Sequence, residues 1–440
     1  MKMMRKPDPA ALLEPDNSYD LVCVGAGPAN LSVAALLHPY RERVSLLVLE
    51  RHDAPVWHQG MLLDDAMMQS AFLKDLTTPV DCTNPFSFVA YLQDAGRLYD
   101  FVNRGNWHAS RHEFCRYLGW VSSHLGSVRH GAEVVEIRWN AGQFCIALAN
   151  GETLTSANIC IGTGSVPFVP FDVPPCSADR CFHSSQYLVH RSAIQGDHVA
   201  VIGGGQSGVE IVIDLLQQGR ASAVTFITRR DSLYPLDDSP FVNQFYTPDG
   251  AANFAGLPAP ARERFLACNR LTGDGASPDS LRRLYELLYA RQVGGGRPRF
   301  ELRCALECVA VTRGQDALLL QTRETQIGKE DTVAVDRVIL ATGYKQRLPD
   351  CLAALRPAIA ASIARDGVRK DYSVRWEGEA RNKVFVQNFS RGQFGLGDPY
   401  LSTLAWRASQ IVNSTLCEQA YPRRPAIGTH PVPECVASRT

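Results

Sequence analysis

Tyr19-Asp20-Leu21-Val22-Cys23-Val24-Gly25-Ala26-Gly27-Pro28-Ala29-Asn30 is the stretch that decides the fold. An apolar run of strand length enters a glycine turn. Leu31 to Leu37 follows with helical composition, and Val44 to Leu49 is a second apolar strand that ends at Glu50. Apolar runs bounded by turn signals and joined through a helix make a buried, parallel β–turn–α–β unit. The same order returns with His198-Val199-Ala200-Val201-Ile202, the turn Gly203-Gly204-Gly205-Gln206-Ser207-Gly208, a helix from Val209 to Gln218 and the strand Ala223 to Ile227. Two such units predict an α/β chain with two Rossmann-like dinucleotide-binding domains.

The turns have a physical use. A phosphate at a helix N-terminus needs close backbone approach and unpaired N–H groups, and the helix dipole favours the anion. In the first turn Gly25, Gly27, Pro28 and Asn30 are candidate cofactor contacts, with Asn30 in place of the usual third glycine. Glu50, at a strand end, is placed to accept from a ribose hydroxyl. In the second turn Gly203, Gly205 and Gly208 have the full spacing, and Gln206 and Ser207 lie between them. The strand that follows ends in Thr228-Arg229-Arg230 instead of an acid. A cation suits a 2′-phosphate. The pair of turns therefore predicts FAD at the first, NADPH at the second, and a flavoprotein oxidoreductase.

The rest of the chain fits around these units. Residues 1–18 read as a flexible lead-in. Residues 19–186 form the first part of an FAD domain, and 187–335 an NADPH domain with a helical substrate segment at about 240–292. Residues 336–440 complete the FAD domain and form a C-terminal tail. The chain has 440 residues, 45% hydrophobic and 20% charged, and its 45 Lys and Arg balance its 45 Asp and Glu. That balance speaks against nucleic-acid binding and against a polybasic membrane surface. No apolar run approaches the roughly 18–20 residues of an integral membrane segment. The 13 cysteines, with no apolar run behind the N-terminus to suggest export, predict reduced thiols and a cytoplasmic location. They show neither a CxxC pair nor zinc-ligand spacing, so no metal is expected and a disulfide reductase is disfavoured.

Further blocks carry a family resemblance. Trp57-His58-Gln59-Gly60-Met61, Met68-Gln69-Ser70-Ala71-Phe72-Leu73-Lys74-Asp75-Leu76 and Asn84-Pro85-Phe86-Ser87-Phe88-Val89 resemble the siderophore N-hydroxylating flavin monooxygenases, the L-lysine N6- and L-ornithine N5-monooxygenases. Arg111 to Trp120, Asp238 to Asn243, Ala341-Thr342-Gly343-Tyr344 and Leu401 to Arg407 continue the match. The resemblance implies that NADPH reduces FAD, that O₂ adds to give a C4a-hydroperoxyflavin, and that a neutral side-chain amine takes the distal oxygen. It implies a place in hydroxamate siderophore assembly, with a downstream acyltransferase or synthetase, and a homodimer or homotetramer.

By matching position, Trp57, His58 and Gln69 are expected near the isoalloxazine, and Thr342, Gly343 and Tyr344 among the cofactor contacts. Ser207 and Arg229 are expected to contact NADP, with Arg229 on the 2′-phosphate. Lys74, Asn243 and Thr272 are expected to hold the substrate. Gln69 and Ser402 are expected beside the reacting atoms. Bland readings stand next to these: Asn243 as a helix cap, Ser402 as a packing residue, and Trp57 and His58 as core. Lys74 favours a substrate with a carboxylate. Leu271 to Leu281 resembles the lysine branch, whereas Phe241-Val242-Asn243 resembles the ornithine branch, and Phe394 stands where the family pattern has His. L-lysine leads. L-ornithine, a diamine and another primary amine such as histamine remain open, with a Baeyer–Villiger-type flavin monooxygenase more distant.

Overall fold

The strand Ser18–Val24 is fully buried from Leu21 onward, because both of its faces are covered and both of its edges are paired. It runs parallel to Leu46–Leu49 on one side and to Thr153–Ile161 on the other. The computed structural model describes residues 17–174, 178–295, 298–376 and 381–423. Within them this strand lies inside an eight-stranded sheet. The sheet runs Ser373–Val374, Val384–Val386, Thr153–Ile161, Ser18–Val24, Leu46–Leu49, Val128–Arg129, and a hairpin, Val134–Asn140 with Gln143–Leu148, is added on Thr153–Ile161. The helix Pro28–Leu37 is buried at every position and packs against the helices Arg111–Leu125 and Leu404–Leu416. A helix that is apolar all round belongs in such a place.

The second glycine strand, His198–Ile202, lies in a five-stranded sheet whose pairs are all parallel: Arg299–Arg303, Ala223–Ile227, His198–Ile202, Arg337–Leu340, Cys181–His183. A three-stranded antiparallel meander, Leu306–Arg313, Leu318–Glu324 and Glu330–Val335, packs on it through Leu306, Val311, Leu318 and Leu320. The 240–292 segment contains the helices Pro248–Gly256, Ala259–Cys268, Leu271–Asp274 and Pro278–Gly294, and the last packs on Gln206–Gln218.

Sheet pairing moves the expected boundaries at 186/187 and 335/336. Cys181–His183 and Arg337–Leu340 both belong to the second sheet, so the chain leaves the first sheet earlier and returns later. These strands are too short to carry a period of their own; Arg337–Leu340 is recruited by pairing with His198–Ile202, and Cys181–His183 by pairing with Arg337–Leu340 at the sheet edge. The crossing itself is a two-stranded ribbon, Val166–Pro167 against Tyr344–Lys345. The expected lead-in lies outside the described residues up to residue 16, and Ser18 already opens a strand. The C-terminal tail lies outside them from residue 424. Among the described residues, no helix is long and apolar enough to cross a membrane, and no three His, Cys, Asp or Glu side chains converge as a metal site.

Candidate active site

The first turn has the form of a phosphate cradle. Gly25 has φ +93°, and a Cβ there would stand 2.7 Å from the Gly162 carbonyl oxygen, so only glycine fits. Gly27, the N-cap of Pro28–Leu37, faces open space. The N–H groups of Gly27, Ala29 and Asn30 precede the first helical hydrogen bond, Leu31 N–H to the Gly27 carbonyl at 3.0 Å. They are thus the unpaired donors a phosphate needs. Pro28 at the first helical position has no N–H and serves to fix the entry angle. Glu50 accepts the Ala26 N–H at 2.8 Å and the His52 N–H at 3.1 Å, which aims its carboxylate at the turn.

Asn30 does not face this cradle with its side chain. It is fully buried, donates to the carbonyls of Val24 (3.0 Å) and Gly25 (2.9 Å), and accepts from the Cys160 thiol (3.2 Å). A Cβ on Gly162 would lie 2.4 Å from its amide nitrogen. The missing third glycine of the first turn is therefore supplied by the neighbouring strand end.

In the second turn Gly203 has φ +120°, with the Ala341 carbonyl oxygen 2.2 Å from a virtual Cβ, and Gly208 packs on the Gly203 carbonyl oxygen at 2.0 Å in the same sense. These two give the tight turn and the close helix–sheet approach. Gly205 caps the helix Gln206–Gln218. Ser207, in the first helical turn, makes no side-chain hydrogen bond among the described residues. Gln206 is spent within the protein: its amide donates to Glu210 (2.7 Å) and Ser280 (3.0 Å), and its carbonyl accepts the Ser277 N–H (2.7 Å). The two arginines divide. Arg229 is exposed and has no side-chain partner among the described residues. Arg230 donates to the Asp274 carbonyl at 3.0 Å and lies 3.6 Å from its carboxylate.

The expected substrate residues come from several segments of the chain. Lys74 lines a recess with Met68, Ser70, Ala71, Phe72, Ala109 and Phe114. Its ammonium is half-buried, has no ion pair or hydrogen bond among the described residues, and is held below its ordinary pKa by lost solvation. The segments that carry Asn243, Thr272 and Ser402 are joined to one another by two tyrosines. Asn243 lies in the 3₁₀ turn Val242–Tyr246. The Tyr246 hydroxyl donates to the Thr272 carbonyl at 2.7 Å, and the Tyr246 ring meets Tyr400 edge-on at 5.3 Å, two residues before Ser402. Asn243 is not a cap: its amide donates to the Asp238 carbonyl at 2.8 Å and leaves its own carbonyl oxygen available. Ser402 is half-buried with no side-chain hydrogen bond among the described residues. Thr272 differs from expectation. Its buried hydroxyl donates to the Asn269 carbonyl at 2.6 Å and holds its own turn.

Comparison with known proteins names this arrangement. Residues 17–346 match the family L-lysine 6-monooxygenase/L-ornithine 5-monooxygenase. The chain belongs to this family. It is 34% identical to the L-lysine N6-monooxygenase of Escherichia coli over 91% of its own length and 95% of that protein. The ornithine N-hydroxylase of Kutzneria sp. 744, solved with reduced FAD, NADP⁺ and L-ornithine, is 30% identical over 90% of this chain and 99% of that one, with a TM-score of 0.84. The FAD-bound cadaverine monooxygenase of desferrioxamine biosynthesis from Erwinia amylovora is 26% identical over 94% of this chain and 98% of that one, with a TM-score of 0.84. The family's members are flavin-dependent N-hydroxylating monooxygenases that use FAD, NADPH and O₂, and the two cradles fit those dinucleotides.

In this monooxygenase one of the residues expected beside the flavin, His58, reaches the crossing ribbon through Tyr344. His58 has a left-handed backbone (φ 51°) and packs edge-on to Trp57 at 4.4 Å and to Tyr344 at 6.5 Å. The residue is exposed at the surface, with Trp57 and Tyr344 as its ring neighbours. Lost solvation, with help from the Arg111 guanidinium, lowers its pKa to about 4. Trp57 also packs on Phe114 at 5.2 Å, so it belongs to core and cleft at once. Gln69 is exposed on the loop before the Lys74 recess. Thr342 and Gly343 serve the ribbon: the Thr342 hydroxyl donates to the Phe168 carbonyl, and the Gly343 carbonyl accepts from Phe168 N–H and His183 Nε2, both at 2.9 Å. Phe394, in place of the histidine, is buried against Tyr372 at 5.2 Å.

Sequence reading gave no role to Arg111, Glu210, Tyr246 or Tyr400. Arg111 did carry a signal: a cation in the first turn of a helix opposes the macrodipole, so it must be held by something else. That partner is Glu210, bound through two hydrogen bonds at 2.7 and 2.8 Å.

Proposed function

We propose that this enzyme N-hydroxylates the side-chain amine of an amino acid, L-lysine foremost, for hydroxamate siderophore assembly. The observation that carries the reading is Lys74. A half-buried ammonium without an anionic partner is costly, and a substrate carboxylate would remove that cost through a charge-assisted bond. A diamine offers no such group. Identity to the Escherichia coli L-lysine N6-monooxygenase supports lysine. The ornithine N-hydroxylase of Kutzneria, with its TM-score of 0.84, and the run Phe241-Val242-Asn243 keep L-ornithine as the second reading.

The roles follow from placement. The Gly27, Ala29 and Asn30 N–H groups hold the FAD pyrophosphate, and the Glu50 carboxylate its ribose. Trp57, His58 and Gln69 border the flavin. Ser207 and the first-turn N–H groups of Gln206–Gln218 hold NADPH, with Arg229 on the 2′-phosphate. Lys74 pairs with the substrate carboxylate, the Asn243 carbonyl oxygen accepts from its α-ammonium, and Ser402 orients the reacting amine. Bound FAD would supply the chemistry that activates O₂ with electrons from NADPH. His58, neutral at physiological pH, adds no cation to repel the substrate ammonium.

The test is hydroxylamine formation by purified, FAD-loaded enzyme with NADPH over L-lysine, L-ornithine, cadaverine, putrescine and histamine. Hydroxylamine from L-lysine at the highest kcat/KM is expected. NADPH oxidation without hydroxylamine from any of them would sink the proposal.

A further inference from the structure

Gly273 has an unusual neighbour. A Cβ built there would stand 1.9 Å from the Tyr400 hydroxyl oxygen, so the tip of that phenol occupies the room that a side chain at 273 would take. Tyr400 comes from the opposite side of the site, on the segment that leads into the 3₁₀ turn Leu401–Thr403. Its ring is braced edge-on by Tyr246 at 5.3 Å, and Tyr246 in turn grips the Thr272 carbonyl. The Tyr400 N–H is fixed on the Gly397 carbonyl at 3.1 Å. The phenol is thus held from three directions. Its hydroxyl has no hydrogen-bond partner among the described residues, and although the residue keeps some exposure, lost solvation and the neighbouring Tyr246 phenol push its pKa up to about 12. A Tyr hydroxyl in such surroundings ordinarily finds a partner.

We propose that Tyr400 is a specificity-determining residue of the amine site. Its ring sets the length of amine that fits, and its hydroxyl hydrogen-bonds a polar group of the bound primary amine. This rests on the reading of Asn243 and Ser402 as substrate neighbours, because Tyr400 stands two residues before Ser402 and meets Tyr246, three residues after Asn243. Size selection follows from rigidity: a phenol that is braced and backed by a glycine cannot retreat without vacating the space over Gly273. One methylene in such a pocket is worth roughly 10- to 200-fold in discrimination.

The experiment compares kcat/KM for L-lysine against L-ornithine, and cadaverine against putrescine, in wild type, Tyr400→Phe and Tyr400→Ala, with amine-induced thermal shifts of the FAD-loaded proteins as a binding readout. Tyr400→Ala should raise the long-to-short ratio about ten-fold or more. Tyr400→Phe should keep the ratio and raise KM roughly three- to ten-fold, the measure of one hydrogen bond. Gly273→Ala alone should impair the enzyme by collision with the phenol, and in a Tyr400→Ala background the same change should cost little, so that the two changes are coupled. An unchanged ratio in Tyr400→Ala, an unchanged KM in Tyr400→Phe, or additive effects of the 273 and 400 changes would each overturn the proposal. If wild type makes hydroxylamine from none of the amines, it is the underlying amine-site reading that fails.

Discussion

At the scale of single residues, two cations of the same type and adjacent in sequence do different work because of what each touches. Arg229 is exposed and unpartnered among the described residues, whereas Arg230 is tied to the carbonyl of Asp274 at 3.0 Å. Arg229→Ala should therefore narrow the preference for NADPH over NADH, with the NADPH KM raised roughly ten-fold or more, as for loss of a charge-assisted hydrogen bond. Arg230→Ala should disturb both cofactors alike, because it frees the helical insert. Equal ratios in the two variants would remove Arg229 from the 2′-phosphate. Lys74 gives a second test. Lys74→Ala should raise KM for L-lysine about ten-fold or more and leave cadaverine nearly unmoved. Its ammonium sits below the ordinary lysine pKa through lost solvation. A lowered pKa means the cation is lost earlier as pH rises, so KM for L-lysine should climb at a pH below the usual lysine range while KM for cadaverine does not. Steady-state kinetics across alkaline buffers would show whether the two curves part.

At the scale of elements, the first dinucleotide turn shows what the sequence could and could not disclose. The strand, the turn, the helix and Glu50 were legible because each is encoded locally, by an apolar run, by glycines and by a strand end. The direction of Asn30 was not legible. It depends on Cys160, 130 positions away, and on Gly162, which makes room for it. The engagement of the Gln206 side chain was not legible for the same reason, since its partner Ser277 lies 71 positions on. Thr272 likewise turned out to close its own turn. A polar side chain near a ligand site is ambiguous until its three-dimensional neighbours are known, whereas a glycine with forced φ is not. The Asn30–Gly162 pair makes a specific prediction. Gly162→Ala places a methyl 2.4 Å from an amide nitrogen that two hydrogen bonds hold still. Overpacking of this kind costs about 1–3 kcal/mol, and it should loosen the cradle enough to lower the FAD-to-protein ratio after purification. Asn30→Gly added to Gly162→Ala restores the common three-glycine arrangement and should recover part of the bound FAD. Full FAD retention in Gly162→Ala alone would show that the turn does not depend on this contact.

At the scale of the whole molecule, the two sheets must hold their cofactors at a fixed mutual distance, yet the covalent crossing is only a two-stranded ribbon. Met61, Leu63 and Ala66 pack into the core of the second sheet, and a further link is ionic. Arg111, at the start of the helix Arg111–Leu125 beside the first sheet, is joined to Glu210 of the helix Gln206–Gln218 beside the second, and also donates to the Met61 carbonyl at 3.0 Å. The pair is only 14% and 9% exposed. Glu210 continues to Gln206 and so to the start of the helix Pro278–Gly294 at Ser277 and Ser280. One connected set of hydrogen bonds therefore spans the flavin side, the NADPH turn and the helical segment. Removing one partner of a buried pair leaves the other charge uncompensated and costs about 3–5 kcal/mol, while an apolar replacement of both can be nearly neutral. Glu210→Gln should thus lower thermal stability more than Arg111→Met/Glu210→Met does. Both variants, however, should slow flavin reduction by NADPH, because both release the turn that carries the nicotinamide nucleotide. Reduction by dithionite, which needs no NADPH turn, should proceed as in wild type. Stopped-flow absorbance with the two reductants separates these effects. If NADPH reduces the double variant at the wild-type rate, the ionic link holds the fold together without setting the distance between the cofactors.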